Sequence, residues 1–100
     1  MIIAVDIGNS NIVIGGIQDT EILFEARLRT DATKTSDEYA IDLKMLFEIH
    51  GISLAHIEGS IISSVVPQVL NSVKTALWKL TRKASLVVGP GVKTGLNIKI

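Results

Sequence analysis

The sequence has 100 residues, with ten Lys and Arg, ten Asp and Glu and a formal net charge of zero, which fits one small domain or part of a larger protein. This balance argues against a general nucleic-acid binder and a polybasic membrane-surface segment, because both need excess Lys and Arg. The 47% hydrophobic fraction argues against disorder, and the absence of cysteine excludes disulfides and Cys-ligated metal sites. Charges interrupt every apolar run and no signal-peptide pattern opens the chain, so we expect a soluble, cytoplasmic protein.

Three strands are predicted in the first thirty residues. Ile2–Ile7 form an apolar run that ends in a Gly-Asn-Ser turn, which is typical of a strand buried on both faces. Asn11–Ile17 form the second strand, and the short gap predicts an antiparallel hairpin. From Ile22 to Arg29 apolar and charged residues nearly alternate, which predicts a third strand with one solvated face.

The spacing of apolar residues then changes to a helical period. Thr35 and Glu38 have the spacing of a capping box, and Gly51 is the predicted helix stop. A strand is predicted over Ile57–Ser64 and a second helix from Pro67, whose missing N–H costs nothing at the first helical position. Ser85–Val88 form a short fifth strand, followed by a Gly-Pro-Gly turn at 89–91.

The predicted order β-β-β-α-β-α-β indicates an α/β domain with a mixed sheet and helices packed on it, as in the ribonuclease-H-like fold. That fold occurs in nucleases, kinases, chaperones and actins, so it does not select a function. Residues 97–100 have the pattern of a strand that starts as the sequence stops, and we therefore expect the chain to be a portion of a longer protein.

Residues 6–11 are the candidate for a ligand-binding site. Asp6 lies near the carboxyl end of an apolar strand, where a cation or hydrogen-bond donors must offset its desolvation. Mg²⁺ on a phosphate would do so, because Mg²⁺ prefers carboxylate, water and phosphate oxygens. Gly8 permits close approach of an anion, and Asn9, Ser10 and Asn11 add uncharged donors. Two interpretations stand on these residues, a phosphate-binding turn and an ordinary hairpin turn capped by Asp6, and the position of Asp6 inside the apolar run favours the first.

Other conspicuous residues favour structural roles. A glycine-rich loop at 89–95 contains Lys93, but Val92 precedes it where a Walker A motif requires Gly, so a surface loop is favoured over an anion-binding one. His50 and His56 lack a nearby ligand cluster, and Tyr39 and Trp78 are interpreted as packing residues. A nuclease is not predicted, since the strands carry a single suitably placed acid.

Three motifs resemble those of type III pantothenate kinases, in the same order and spacing. The first is the segment DIGNS at 6–10, which is similar to the D-x-G-N-T start shared by the sugar-kinase, heat-shock-chaperone and actin superfamily. The second is ISSVVP at 62–67, and the third, specific to this family, is VVGPGVKTGLNIK at 87–99.

The resemblance implies a protein that transfers the γ-phosphate of ATP to pantothenate, the first step of coenzyme A biosynthesis. It implies Mg²⁺, a monovalent cation (K⁺ or NH₄⁺) and a homodimer, with no nucleic-acid or membrane partner. Residues 1–100 would be the N-terminal ATP-phosphate-binding domain, with the second domain absent from this chain. The resemblance assigns the phosphate-binding hairpin to eight residues, the first of which would act through Mg²⁺: Asp6, Ile7, Gly8, Asn9, Ser10, Asn11, Ile12 and Val13.

The sequence departs from the family pattern at Ile100, where many members have a tyrosine that contacts pantothenate. The family's Gly-Ala-Asp-Arg motif, with its catalytic Asp, should lie just beyond residue 100, so no catalytic base is expected within the chain and the 100 residues alone are expected to be inactive. The alternatives are a non-catalytic nucleotide-binding or regulatory paralogue, which would lack that motif, and a structural interaction domain that binds no nucleotide.

Overall fold

A computed structural model of the protein describes residues 1–89. The elements in chain order are β1 (Ile2–Ile7), β2 (Asn11–Gln18), β3 (Glu21–Arg29), α1 (Ser36–Ile49), β4 (Gly59–Ser64), α2 (Pro67–Thr81) and β5 (Ser85–Val88). The strands form one sheet in the order β3-β2-β1-β4-β5, in which β1 is antiparallel to β2 and parallel to β4. The predicted element order, mixed sheet and α/β class are therefore confirmed.

The predictions differ from the structure in a few places. β4 begins two residues later than predicted, because Leu54–His56 form a short 3₁₀ helix that Ile57 caps. Trp78 is 46% exposed rather than packed in the core. The predictions for the Lys93 loop, for a strand at 97–100 and for Ile100 lie outside the described residues.

Both helices lie on one face of the sheet. The crossovers β3-α1-β4 and β4-α2-β5 run in the same direction across the sheet, and right-handed connections then place their helices on the same side. This helix face holds the buried apolar side chains of β1 and its neighbours, among them Ile3, Val5, Ile7, Ile12, Ile14 and Ile62. The opposite side, called the open face here, carries the alternate residues Ala4, Asp6, Val13, Gly15, Ile61 and Ser63, and none of the described helices covers it. The centre of β1 is buried on both faces as predicted, since Ala4 on the open face is 1% exposed, whereas Ile2 and Asp6 on that face are partly exposed.

α1 forms where local signals and packing agree. Thr35 accepts a hydrogen bond from the backbone of Glu38, and the Glu38 side chain accepts one from the backbone of Thr35, so the predicted capping box is confirmed. The helix ends at Ile49, and the predicted stop residue Gly51 follows the C-cap His50 with a φ of +72° that suits glycine. The Ile52 N–H closes this end by donating to the Phe47 carbonyl at 2.8 Å. Tyr39, Leu43 and Phe47 face the sheet from one side of α1.

Gly16, the second glycine of the pair in β2, has a packing explanation. A Cβ atom on Gly16 would lie 2.4 Å from the ring of Phe24 on β3, so the two strands fit only with glycine at this point. The β2–β3 register shifts between Gly16 and Ile17, which makes Leu23 the extra residue of a bulge. Leu23 is the residue that interrupts the alternation in the sequence.

The start of β1 is tied to the chain that enters β4. The Met1 ammonium group donates to Glu58 Oε2 at 2.6 Å and to the His56 carbonyl at 3.2 Å, while the Glu58 N–H donates to the Met1 carbonyl at 2.8 Å. The hydrogen bond from the ammonium group holds the pKa of Glu58 below its ordinary value of 4.5.

Candidate functional site

Asp6 lies on the open face near the carboxyl end of β1. It pairs in register with Val13 on β2 and with Ser63 on β4, and Arg27 of β3 stands in the same cross-strand row. The Asp6 side chain is partly exposed and makes no hydrogen bond or ion pair with another described residue. A carboxylate in this position is accessible from the open face and keeps its acceptor capacity for a ligand.

The β1–β2 turn directly beyond Asp6 exposes Asn9 and Ser10. The Gly8 N–H donates to the Asn11 carbonyl at 2.9 Å, so it is used within the turn and cannot serve a ligand. A Cβ atom on Gly8 would lie 3.3 Å from that same carbonyl oxygen. This tight contact favours glycine at position 8 whether or not an anion approaches the turn. The backbone N–H groups and side chains of Asn9 and Ser10 hydrogen-bond to no other described residue. These groups are therefore the donors that the turn presents.

Neighbouring elements hold the turn from both sides. Thr30, the residue after β3, donates its N–H to the Ser10 carbonyl at 3.0 Å and its hydroxyl to the Gly8 carbonyl at 2.8 Å. On the other side, the Val65 N–H after β4 donates to the Ile7 carbonyl at 3.1 Å. These bonds satisfy turn carbonyls and leave the Asn9 and Ser10 N–H groups without a partner among the described residues, so that both remain available to an anion.

Thr30 is the site residue that sequence reasoning missed. Its neighbour Asp31 donates its N–H to the buried Tyr39 hydroxyl at 2.9 Å and accepts from that hydroxyl through its own carbonyl at 2.9 Å. The Asp31 carboxylate accepts from Thr33, and this bonding holds its pKa below the ordinary value of 3.8. The signal in the sequence was the β2–β3 hairpin itself, because its length places Thr30 opposite Ser10.

Two serines follow each other at the end of β4 and have different roles. The Ser64 hydroxyl is occupied by a local turn, in which it accepts from the Val66 N–H at 2.9 Å and donates to the Val66 carbonyl at 3.0 Å. Ser63 is 4% exposed and lies beside Asp6 on the open face. Ser63 therefore belongs with Asp6, whereas Ser64 shapes the start of α2.

The structure separates the eight residues that the resemblance assigns to nucleotide binding. Ile7 and Ile12 are buried under the helices, so their side chains cannot reach a ligand on the open face. The other six residues lie on the open face or in the turn: Asp6, Gly8, Asn9, Ser10, Asn11 and Val13. Ile7 and Ile12 can contribute only through their backbone and by fixing the hairpin to the core.

The donor set fits a magnesium ion that is bound together with a phosphate. Within residues 1–89 no three His, Asp or Glu side chains cluster closely enough to hold a metal ion. Asp6 offers one free carboxylate, and Mg²⁺ commonly takes one or two carboxylates and fills its remaining positions with water and substrate phosphate. The residues present therefore suit a metal–phosphate complex better than a metal ion alone.

The fold and the turn together define a class, the ribonuclease-H-like domain of the sugar-kinase fold. The chain is similar to a ROK hexokinase from Thermus thermophilus, at 12% identity and a TM-score of 0.62 over 88% of this chain. It is also similar to a candidate N-acetylglucosamine kinase from Porphyromonas gingivalis, at 13% identity and a TM-score of 0.65 over 90% of this chain. At these identities the likeness concerns the fold alone, and the chain spans 34% of the length of each of the two proteins.

Residues 2–100 match the family model of type III pantothenate kinase. The chain belongs to that family, which confirms the resemblance found in the sequence. No helix among the described residues is long and apolar enough to cross a membrane.

Proposed function

We propose that residues 1–100 are the N-terminal ATP-phosphate-binding domain of an enzyme that phosphorylates pantothenate, the first step of coenzyme A biosynthesis. The observation that carries this proposal is the position of Asp6, which is a partly exposed carboxylate on the open face, next to a turn with free donors. Family membership supports the kinase reaction, and the family description supplies pantothenate as the substrate.

In this proposal the residues of the chain bind and orient the phosphates. The N–H groups and side chains of Asn9 and Ser10, with the side chain of Asn11, donate hydrogen bonds to phosphate oxygens. Asp6 would hold the metal ion through its carboxylate. Mg²⁺ would supply charge neutralisation of the triphosphate. Positioning of this kind supplies most of the catalysis in phosphoryl transfer, and the catalytic base is proposed to lie outside this chain.

The proposal includes the wider properties of the family. The enzyme would be a cytoplasmic homodimer and would need K⁺ or NH₄⁺ in addition to Mg²⁺. The phosphate-binding turn does not itself account for the monovalent cation, which we expect to contact parts of the protein outside residues 1–89.

Asp6→Asn in the full-length protein tests the role of Asp6. Because the substitution keeps the size of the side chain but removes its charge, we expect turnover to fall at least about 100-fold, in the range found for lost electrostatic stabilisation of a transition state, while the melting temperature is retained. Initial rates of ADP formation with pantothenate, measured over a Mg²⁺ titration, give the comparison.

Asp19→Asn is the matched control. Asp19 lies in the β2–β3 turn at the other end of the sheet, and its φ of 57° is a conformation that Asn also tolerates. We expect wild-type turnover for this variant. Wild-type turnover of Asp6→Asn would contradict the assignment, and Mg²⁺–ATP binding by calorimetry without any turnover of the wild-type protein would support the non-catalytic alternative.

A further inference from the structure

The candidate phosphate-binding turn contains no cation of its own. Residues 1–26 include no lysine or arginine, so the turn itself offers only uncharged donors. β4 and β5, on the other side of β1, carry no charged residue either. A triphosphate with one bound Mg²⁺ keeps a net negative charge, and charge-assisted hydrogen bonds to such a ligand are roughly twice as strong as neutral ones. A cation that reaches this ligand must therefore come from another element.

β3 supplies two arginines to the open face. Arg27 pairs in register with Val13, which in turn pairs with Asp6, and Arg29 pairs with Asn11. Side chains directly opposite each other in neighbouring strands lie on the same face of a sheet, so both arginines share the open face with Asp6. Among the strand residues that the structure describes, they are the only lysine or arginine residues.

The backbone hydrogen bonds bring these side chains close together. Thr30 donates its N–H to the Ser10 carbonyl, so these two residues form a hydrogen-bonded pair of the β2–β3 ladder. Because the two kinds of pair alternate, Arg27 and Val13 form a non-hydrogen-bonded pair, in which the side chains lie closer. Two strand spacings then place the Cα atoms of Arg27 and Asp6 about 10 Å apart. A metal ion and a phosphate group can fill the gap that remains between the carboxylate and the long arginine side chain.

Both arginines are available to a ligand. They are exposed, and neither forms an ion pair or a hydrogen bond with another described residue. The acids nearest to them are Glu25, which has interactions of its own, and Asp31. The charge of Arg29 acts on the Asp31 carboxylate, but that carboxylate accepts its hydrogen bonds from Thr33. The two guanidinium groups therefore keep their donors for another partner.

Arginine in this position suits a phosphate ligand. Its planar guanidinium group can donate two parallel hydrogen bonds to phosphate oxygens, and it is always charged. Val13, which lies between Arg27 and Asp6, is partly exposed and has no polar side-chain atom that would compete for the ligand. The two hydrogen bonds of Thr30 tie the end of β3 to the turn, so the arginines and the turn keep a fixed relation.

We propose that Arg27 and Arg29 bind the phosphate groups of the nucleotide, Arg27 across β2 from Asp6 and Arg29 beside Asn11. This inference rests on the proposed function, because it assigns two further residues to the same nucleotide. It gives no new role to residues 6–13, so its failure would leave the assignment of Asp6 intact.

Arg27→Gln and Arg29→Gln in the full-length protein test the proposal. Each variant removes one positive charge from an exposed position. We expect the dissociation constants of Mg–tripolyphosphate and of Mg–ATP to rise at least about tenfold, as for the loss of a hydrogen bond between charged groups. Tripolyphosphate shares only the phosphates with ATP, so a parallel effect on both locates the contact. Calorimetry without pantothenate gives both constants independently of turnover.

Lys44→Gln is the matched control. It removes the same charge from an exposed residue of α1, which covers the other face of the sheet, and it should leave both dissociation constants unchanged. Arg27→Lys keeps the positive charge but loses the paired donors, so we expect dissociation constants between those of the wild-type protein and Arg27→Gln. Thermal unfolding of every variant should give the wild-type melting temperature.

Three results would each overturn the proposal. The first is wild-type dissociation constants in both glutamine variants. The second is a rise confined to the KM for pantothenate, which would assign the arginines to the carboxylate of that substrate. The third is a lower melting temperature with unchanged phosphate binding, which would show that the arginines form structural ion pairs with parts of the protein outside residues 1–89.

Discussion

Thr30 stabilises the β1–β2 turn of the candidate site, although it lies outside that turn. Its Oγ1 donates to the Gly8 carbonyl while its N–H donates to the Ser10 carbonyl, so one residue fixes both sides of the β1–β2 turn. Thr30→Val keeps the β-branched shape and the backbone bond but removes the hydroxyl. We expect the free energy of unfolding to fall by about 1 kcal/mol, the usual worth of a single hydrogen bond, and the KM for ATP to rise because the turn is less well held.

Thr33→Val is the matched control for that experiment. The Thr33 hydroxyl bonds only to the Asp31 carboxylate on the surface, so its loss should leave the KM for ATP unchanged. Urea unfolding and ATP saturation curves provide the two measurements. If Thr30→Val retained both the wild-type stability and the wild-type KM, the turn would be held by its own residues and by Val65 alone.

The position of the charged residue of the candidate site was predictable from the sequence, whereas its surroundings were not. Asp6 stands out because it is an acid within an apolar run, a pattern that local sequence displays. The role of Thr30 depends on the pairing of β2 with β3, and the occupation of the Gly8 N–H depends on the conformation of the turn. Both are properties of register, which a one-residue shift would change and which composition does not specify.

α1 begins at a capping box whose strength can be measured. The Thr35 hydroxyl accepts from the Glu38 N–H at 3.1 Å, and loss of such a cap costs about 1 kcal/mol. We therefore expect Thr35→Ala to lower the free energy of unfolding by about that amount. Ser53→Ala is the control, because Ser53 precedes the 3₁₀ helix without a side-chain cap bond, and its loss should have little effect. Equal losses for the two variants would mean that the box contributes nothing specific.

The helices and strands were predictable where period and end signals agreed. The capping box, the glycine stop and the proline start gave α1 and α2 nearly their observed bounds, and β1 and β5 matched fully. The prediction failed at Ile57, because an apolar residue that caps a 3₁₀ helix has the same local pattern as the first residue of a strand. Trp78 was interpreted as a packing residue from its type and its place on a helix, but its ring is 46% exposed and lies beside the Arg82 guanidinium.

The stability of the domain should depend on pH in a predictable direction. The Met1 ammonium lowers the pKa of Glu58 and the Thr33 hydrogen bonds lower that of Asp31, so these groups stabilise the fold above their ordinary values of 4.5 and 3.8, and the effect is lost as pH falls through their lower folded values. The hydrogen bond to Asp42 raises the pKa of Lys34 above 10.5, and that stabilisation is lost as pH rises through the folded value. We expect the contribution of Glu58 and Asp31 to the melting temperature to be lost on the acid side of their ordinary values, and that of Lys34 on the alkaline side of 10.5.

Glu58→Gln should make the acid side of this profile less steep, whereas Glu21→Gln, at a glutamate that forms no ion pair with a described residue, should leave it unchanged. Thermal scans at low and high salt separate the contribution of the ion pair between Met1 and Glu58 from contributions that do not depend on charge. Because the Glu58 carboxylate is exposed, added salt should reduce the difference in melting temperature between the wild-type protein and Glu58→Gln. An acid limb that is identical in the two variants would show that the contact between Met1 and Glu58 does not contribute.

The only tyrosine of the sequence lies at the junction between the turn and the core, and this has a practical consequence for spectroscopy. The Tyr39 hydroxyl both donates to and accepts from the backbone of Asp31, directly beside Thr30. The 100-residue chain labelled with 3-fluorotyrosine would therefore give a single ¹⁹F resonance whose chemical shift reports on the segment that holds the turn. A nucleotide titration followed by this resonance would detect engagement of the loop without any coupled assay.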